Sequence, residues 1–138
     1  MRVVLDTNVL LSAFLWQKGL RAIYDAIWQR RIVPCFTPAT WHELERALRY
    51  PKFERQLARI HLEPDDILTL IASRALFTFP RTAVRVVRGD PSDNDFLTCA
   101  LSAGARAIVS GDRHLRNLDR FRGIPILSPR QFLKQIEG

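Results

Sequence analysis

Residues 2–10, Arg2-Val3-Val4-Leu5-Asp6-Thr7-Asn8-Val9-Leu10, run a short apolar stretch directly into an acid. Val3, Val4 and Leu5 show no polar alternation, so they read as a strand buried on both faces. Residues 9–16 are apolar and read as a helix that ends near Gly19. A buried strand that exits through an Asp into a helix suits the opening of an α/β sheet. In such sheets, sites form outside the carboxyl ends of the strands.

Outward from this unit, strands and helices alternate. Residues 20–29 repeat Ala22, Ile23, Ala26 and Ile27 at helical spacing. Residues 32–36 and 76–79 read as further strands. Between them lie a helix from Thr37 or Thr40 to about Tyr50, one over 53–60, and one from Pro64 to about Arg74. Pro51 is expected to mark the end of the first of these. Arg88-Gly89-Asp90-Pro91-Ser92 reads as a loop, 93–103 as a helix stopped by Gly104, and 107–110 as a strand. A short helical turn over 114–118 and a strand over 125–127 follow. Ser128-Pro129 supplies N-cap and first-turn proline for a final helix. The expected fold is α/β: three layers, with a central, mostly parallel sheet of about four to five strands and helices on both faces.

The bulk numbers narrow the function classes. At 138 residues the chain fits one domain, 1–138, with a real core, and 47% hydrophobic residues exclude a disordered chain. The formal net charge is +7, and Arg supplies 18 of the 21 basic residues. That excess favours a polyanionic partner. Cys35 and Cys99 both sit in apolar contexts, as buried free thiols of a reducing cytosol do. Asp6 and Asn8 break the apolar centre of the N-terminal run, which argues against a signal peptide. No stretch approaches the ~20 apolar residues of a membrane span. A cytoplasmic protein is expected.

Four acids then stand out. Asp6 and Asp112 each come at the exit of a strand, the latter in Ser110-Gly111-Asp112-Arg113-His114. Gly111 is expected to let the backbone turn tightly. Asp93 shares a helix face with Phe96, Leu97 and Ala100, whereas Asp95 points away with Thr98, Cys99 and Ser102. An acid on that buried side needs a metal or an N-cap bond, and periodicity leaves both open. Glu43 and Glu45 flank the Trp41, Leu44 and Leu48 stripe, and spacing does not choose between them. Asp90, before Pro91, reads as a turn residue within reach of the site. Acids gathered at strand exits commonly hold Mg²⁺ or Mn²⁺ against a phosphate.

Val4-Leu5-Asp6-Thr7-Asn8-Val9-Leu10, Trp41-His42-Glu43-Leu44, Asp90-Pro91-Ser92-Asp93-Asn94-Asp95-Phe96-Leu97 and Ser110-Gly111-Asp112-Arg113-His114-Leu115 together resemble the PIN domain. The similarity extends over almost the whole chain and is strongest to the PIN-family toxins of toxin–antitoxin systems (VapC-like). The resemblance implies a metal-dependent endoribonuclease using Mg²⁺ or Mn²⁺. Its acids correspond to Asp6, Glu43, Asp93 and Asp112, with Asn8 as a polar helper, and this match selects Glu43 and Asp93 over their neighbours. It also implies an RNA substrate, a cognate antitoxin and a homodimer. Arg113, next to Asp112, is a candidate contact to the RNA backbone. Three other readings compete: an RNA-processing PIN nuclease outside a toxin pair, a non-catalytic RNA-binding module, and a hydrolase of small phosphate compounds. Aspartyl phosphatases also begin with an Asp after the first strand, but their second acid would stand where this chain has Asn8.

Asp6→Asn is expected to abolish cleavage while leaving stability equal or raised, since it removes repulsion among the acids. A nuclease assay beside a denaturant melt checks both, and full activity would remove Asp6 from the site.

Overall fold

A computed structural model describes residues 1–17, 19–86 and 91–137. Six short strands form one sheet in the order β3-β2-β1-β4-β6-β5. They are β1 (Arg2–Leu5), β2 (Val33–Phe36), β3 (Leu76–Phe77), β4 (Ala107–Val109), β5 (Arg120–Phe121) and β6 (Ile124–Leu127). All neighbours pair in parallel except β5, which turns back antiparallel on β6. The sheet therefore has one strand beyond the expected range. β5 is a two-residue edge with no apolar alternation to announce it, formed where the chain turns through Arg122 and Gly123, both at positive φ.

The helices are α1 (Thr7–Leu15), α2 (Arg21–Trp28), α3 (Pro38–Ala47), α4 (Pro51–Arg59), α5 (Pro64–Ala72), α6 (Pro91–Ala103), α7 (Arg113–Arg116) and α8 (Pro129–Glu137). Side-chain alternation along the strands divides the core between two faces. Val3, Leu5 and Val109 pack with side chains of α1, α2, α3, α4, α5 and α8. Val4, Ile108 and Ile126 pack on the other face with Phe96, Leu97 and Ala100 of α6 and with Leu115 of α7. β1 and β4 thus have apolar cover on both sides, which explains their unbroken apolar runs.

Local chemistry accounts for the helix boundaries. Thr37 and Thr40 form a reciprocal capping box at the start of α3. Ser128 accepts from the Gln131 N–H at 3.1 Å, and the Gln131 side chain accepts from the Ser128 N–H at 2.8 Å. Gly104 takes φ +64 after α6, and the Ala105 N–H closes back on the Ala100 carbonyl at 2.9 Å. Pro51 departs from expectation. It opens α4 as the first helical residue, following only a short break after α3. A first-turn proline lacks only an N–H that would be unpaired anyway. Pro91 opens α6 in the same way, so Asp93 lies inside the first turn and is not an N-cap.

Cys35 and Cys99 are free and buried, as expected. Burial, with Cys35 close by, pushes the Cys99 thiol up to about 12, so it is inert as a nucleophile at neutral pH. No described helix is long and apolar enough to cross a membrane. Asp90, read from sequence as a turn residue, lies outside the described residues.

Phe53 is fully buried on α4 and packs against Trp16, with ring centroids 5.7 Å apart. Phe53→Ala is expected to destabilise the fold by about 3–5 kcal/mol. Urea denaturation measures this, and a loss below about 1 kcal/mol would show that α4 is not docked in the core.

Candidate active site

β1 lies between β2 on one side and β4 on the other; the chain builds outward from β1 through β2 to β3, then crosses back to β4 on the opposite side. That makes the β1/β4 boundary a topological switch point, where the strand ends open into a crevice. Val3, Val4 and Leu5 register against Ala107, Ile108 and Val109, and the Asp6 N–H continues the ladder to the Val109 carbonyl at 2.9 Å. Asp6 and Ser110 are therefore brought together across 104 residues of chain.

Asp6 makes three hydrogen bonds in this corner. Its Oδ1 accepts from the Val9 N–H at 2.8 Å and caps α1. Its Oδ2 accepts from Ser110 Oγ at 2.6 Å and from the Gly111 N–H at 3.1 Å. Ser110 Oγ in turn accepts from the Asp112 N–H at 2.9 Å. Asp112 caps α7 by accepting from the His114 N–H at 2.7 Å. Each of these two acids therefore caps a helix and lines the crevice at once. Burial pushes the Asp6 carboxyl above the ordinary range; Ser110, Val9 and Gly111 pull it back, and the Asp112 charge adds to the rise.

Ser110 is fully buried and joins both acids, yet sequence reasoning assigned it no role. The available signal was its position: a hydroxyl at the end of a buried strand, one residue from a Gly-Asp pair. Gly111 also differs from expectation. Its φ is not in the left-handed region and a Cβ would meet nothing within 4 Å, so neither strain nor space demands glycine there. Its contribution is the N–H given to Asp6.

Glu43 reaches the same crevice from α3. It is half-buried, and its Oε2 accepts from Thr7 Oγ1 at 3.2 Å, whereas Glu45 is exposed. The tertiary structure thus separates two acids that spacing left equivalent. Asp93 enters from α6 on the face expected for it and is only 2% exposed. Asp6, Asn8, Glu43, Asp93 and Asp112 all line one cavity of about 500 Å³, together with Thr7, Ser92 and Ser110. All five residues singled out from sequence therefore meet at one place; Asn8 sits at its exposed edge.

No Lys, Arg or His is among the described residues lining this cavity. Hard oxygen donors of this kind suit a divalent cation. Among the described residues, no three acids are gathered closely enough to enclose an ion by themselves. Mg²⁺ does not require that, since it usually keeps several waters and takes one or two carboxylates directly. The donor chemistry fits such an ion, with Asp6, Glu43, Asp93 and Asp112 as the residues able to hold it or its waters.

Comparison with known proteins agrees with this architecture. A family model described as PIN domain matches residues 2–114. The chain is 29% identical to an uncharacterized protein of Methanocaldococcus jannaschii, over 99% of this chain and 92% of that protein. Among solved structures it resembles VapBC2 from Rickettsia felis bound to a DNA fragment from their promoter. That match has a TM-score of 0.59 at 12% identity and covers 93% of this chain and 98% of that one. At such identity the likeness is one of fold.

The raised Asp6 pKa sets the direction of a pH effect. A carboxyl whose folded pKa exceeds its unfolded value contributes stability that is fully present below the unfolded pKa and lost as pH rises through the folded one. Asp6→Asn removes this dependence and keeps a competent cap, but it turns an N–H toward the Gly111 N–H. In EDTA, the stability of Asp6→Asn relative to wild type is expected to rise as pH climbs out of the ordinary carboxylate range. A difference that stays flat from acid to neutral pH would show that Asp6 titrates normally.

Proposed function

This chain belongs to the PIN domain family, whose members are generally nucleases, and on that premise we propose that it is a metal-dependent endoribonuclease. It hydrolyses RNA phosphodiester bonds as the toxin component of a toxin–antitoxin pair. The observation that carries the reading is the meeting of Asp6, Glu43, Asp93 and Asp112 on one cavity at the β1/β4 switch point. The solved structure of similar fold is a VapBC2 complex, which supports the pairing with an antitoxin.

In this proposal Asp6, Asp93 and Asp112 would hold Mg²⁺ or Mn²⁺ directly or through its waters, and Glu43 would hold a second ion or a metal-bound water. Such ions lower the pKa of bound water and neutralise charge on the phosphate and the leaving oxygen. The chain's own contribution is positional. Ser110 orients the Asp6 carboxylate and holds the Asp112 backbone, so that the two acids keep a fixed relation. Thr7 restrains Glu43 on the opposite wall. Asn8, exposed at the rim, is placed to contact the nucleotide. Burial of Asp6 and Asp93 raises the value of a cation at the site, because their ionised forms are poorly hydrated.

The proposed partners are RNA, a cognate antitoxin protein and a second copy of the chain. Phe77 and Phe79, 43% and 75% exposed, give the β3 edge of the sheet an apolar surface that a protein partner would cover. The proposed place of action is the cytoplasm, where free thiols such as Cys35 and Cys99 persist.

Purified protein is expected to cleave a mixed RNA pool with Mg²⁺ or Mn²⁺, and to stop in EDTA. Asp6→Asn, Asp93→Asn and Asp112→Asn should each lower the rate by at least about 100-fold, the scale of losing one preorganised transition-state contact. Cleavage that persists in EDTA or in Asp6→Asn would overturn the mechanism. Metal-independent RNA binding with no cleavage under any ion would favour a binding module instead.

A further inference from the structure

A second depression, of about 350 Å³, lies beside the carboxylate cleft and is lined by Arg113, Arg116, Asn117, Asp119, Ile126 and Gln131. The two share a boundary in the chain. Asp112 and Pro129 line the cleft, while Arg113 and Gln131, one and two residues on, line the depression. Its walls are α7 and the first turn of α8, which follow the adjacent strands β4 and β6.

The chemistry of the two hollows is opposite. The cleft gathers acids, and the depression sets two guanidinium groups against one carboxylate, Asp119. Among the described residues neither Arg113 nor Arg116 makes an ion pair, the single salt bridge being Arg21 with Asp25. The Gln131 amide oxygen is taken by the Ser128 N–H at 2.8 Å, so the amide nitrogen remains as a donor. Asn117 adds another polar group. Arginine forks present several N–H donors in the geometry that a phosphate accepts.

The N-terminal end of α2 also borders the cleft. Leu20 lines it there, and the neighbouring Arg21 is already engaged, with Asp25 at 3.3 Å and Gln17 at 3.3 Å.

We propose that the α7–α8 depression is an RNA subsite for the backbone phosphate adjoining the one held over the carboxylates. The strand then leaves the cleft across Arg113 and Arg116. This rests on the nuclease reading, which alone supplies a phosphate at the cleft, but it is tested without cleavage. A side chain that binds the strand beyond the reacting phosphate supplies binding energy and register, so its loss acts on affinity more than on the chemical step.

The test is anisotropy of a labelled, mixed-sequence single-stranded RNA across a salt series. It uses the full chain carrying Asp6→Asn with Mg²⁺ present. Arg113→Gln with Arg116→Gln is compared with Arg55→Gln and Arg59→Gln, which remove the same charge from the exposed face of α4. Losing one phosphate contact should lower the slope of log affinity against log salt by about 0.7, which is about fivefold in affinity per decade of salt. That change in the α7 pair and not in the α4 pair supports the subsite. Equal losses in both pairs would overturn it as a general charge effect, and so would an unchanged slope or no RNA binding at all. If the α7 pair instead loses only an acidic protein partner, the surface is a protein interface and the proposal fails. Should the glutamine pair unfold, Arg113→Lys with Arg116→Lys keeps the charge and removes the forks, and a partial loss is expected. Wild-type cleavage with an unaltered α7 slope would sink the subsite alone. The reduced slope without any wild-type cleavage would sink the nuclease reading alone.

Discussion

Parallel pairing of β1 with β4 is the constraint on which the rest of this structure depends. It sets Asp6 at the end of one strand against Ser110 at the end of the other, and the 2.6 Å bond between them closes the corner. Both strands are buried on both faces, so a slip of one residue would drive their side chains into the wrong layer. The position of the acids is therefore enforced by the packing of Val3, Val4, Leu5, Ile108 and Val109. The same corner starts two helices, because Asp6 caps α1 and Asp112 caps α7. One set of hydrogen bonds thus ends two strands, begins two helices and arranges two carboxylates.

α6 makes the other half of the cleft, and its burial explains why it can hold an acid so far from water. Phe96, Leu97 and Ala100 cover one face of the sheet, and Asp93 extends that stripe to the strand ends. A second stripe, Asn94, Thr98 and Ser102, recurs every four residues and has a different task. Asn94 Oδ1 accepts from the Val86 N–H, Thr98 Oγ1 accepts from the Val84 N–H, and Ser102 Oγ bonds to Thr78 Oγ1. These bonds lay residues 78–86 along α6 and satisfy backbone that joins no strand. They also account for Thr98, which is polar and only 7% exposed.

Electrostatics partitions the molecule. Asp6, Glu43, Asp93 and Asp112 line a recess, whereas arginines such as Arg55, Arg59, Arg113 and Arg116 are exposed. Water screens the exposed arginines over about 8–10 Å at physiological salt, whereas the buried Asp6 and Asp93 are screened far less.

Much of this was legible in the chain alone. The unbroken apolar run of β1, the side of α6 that carries Asp93, and the Ser128-Pro129 start of α8 each follow from residues within a few positions of one another. Periodicity and capping are local properties, and local properties survive in a linear text. The misreadings were also local. Pro51 signals a helix boundary, but a proline serves an end or a beginning, and only its following packing through Phe53 shows that a helix begins. β5 has two residues and no pattern to find. What the sequence by itself determined was the α/β alternation and the identity of the acids at the strand exits. What only the tertiary structure decided was convergence. Glu43 faces the cleft and Glu45 faces solvent, Ser110 joins two acids, and Arg116 and Gln131 line one depression. Each of those facts depends on strand register and helix docking between segments far apart in the chain, and such contacts are set by the cooperative packing of the core rather than by spacing within any one segment.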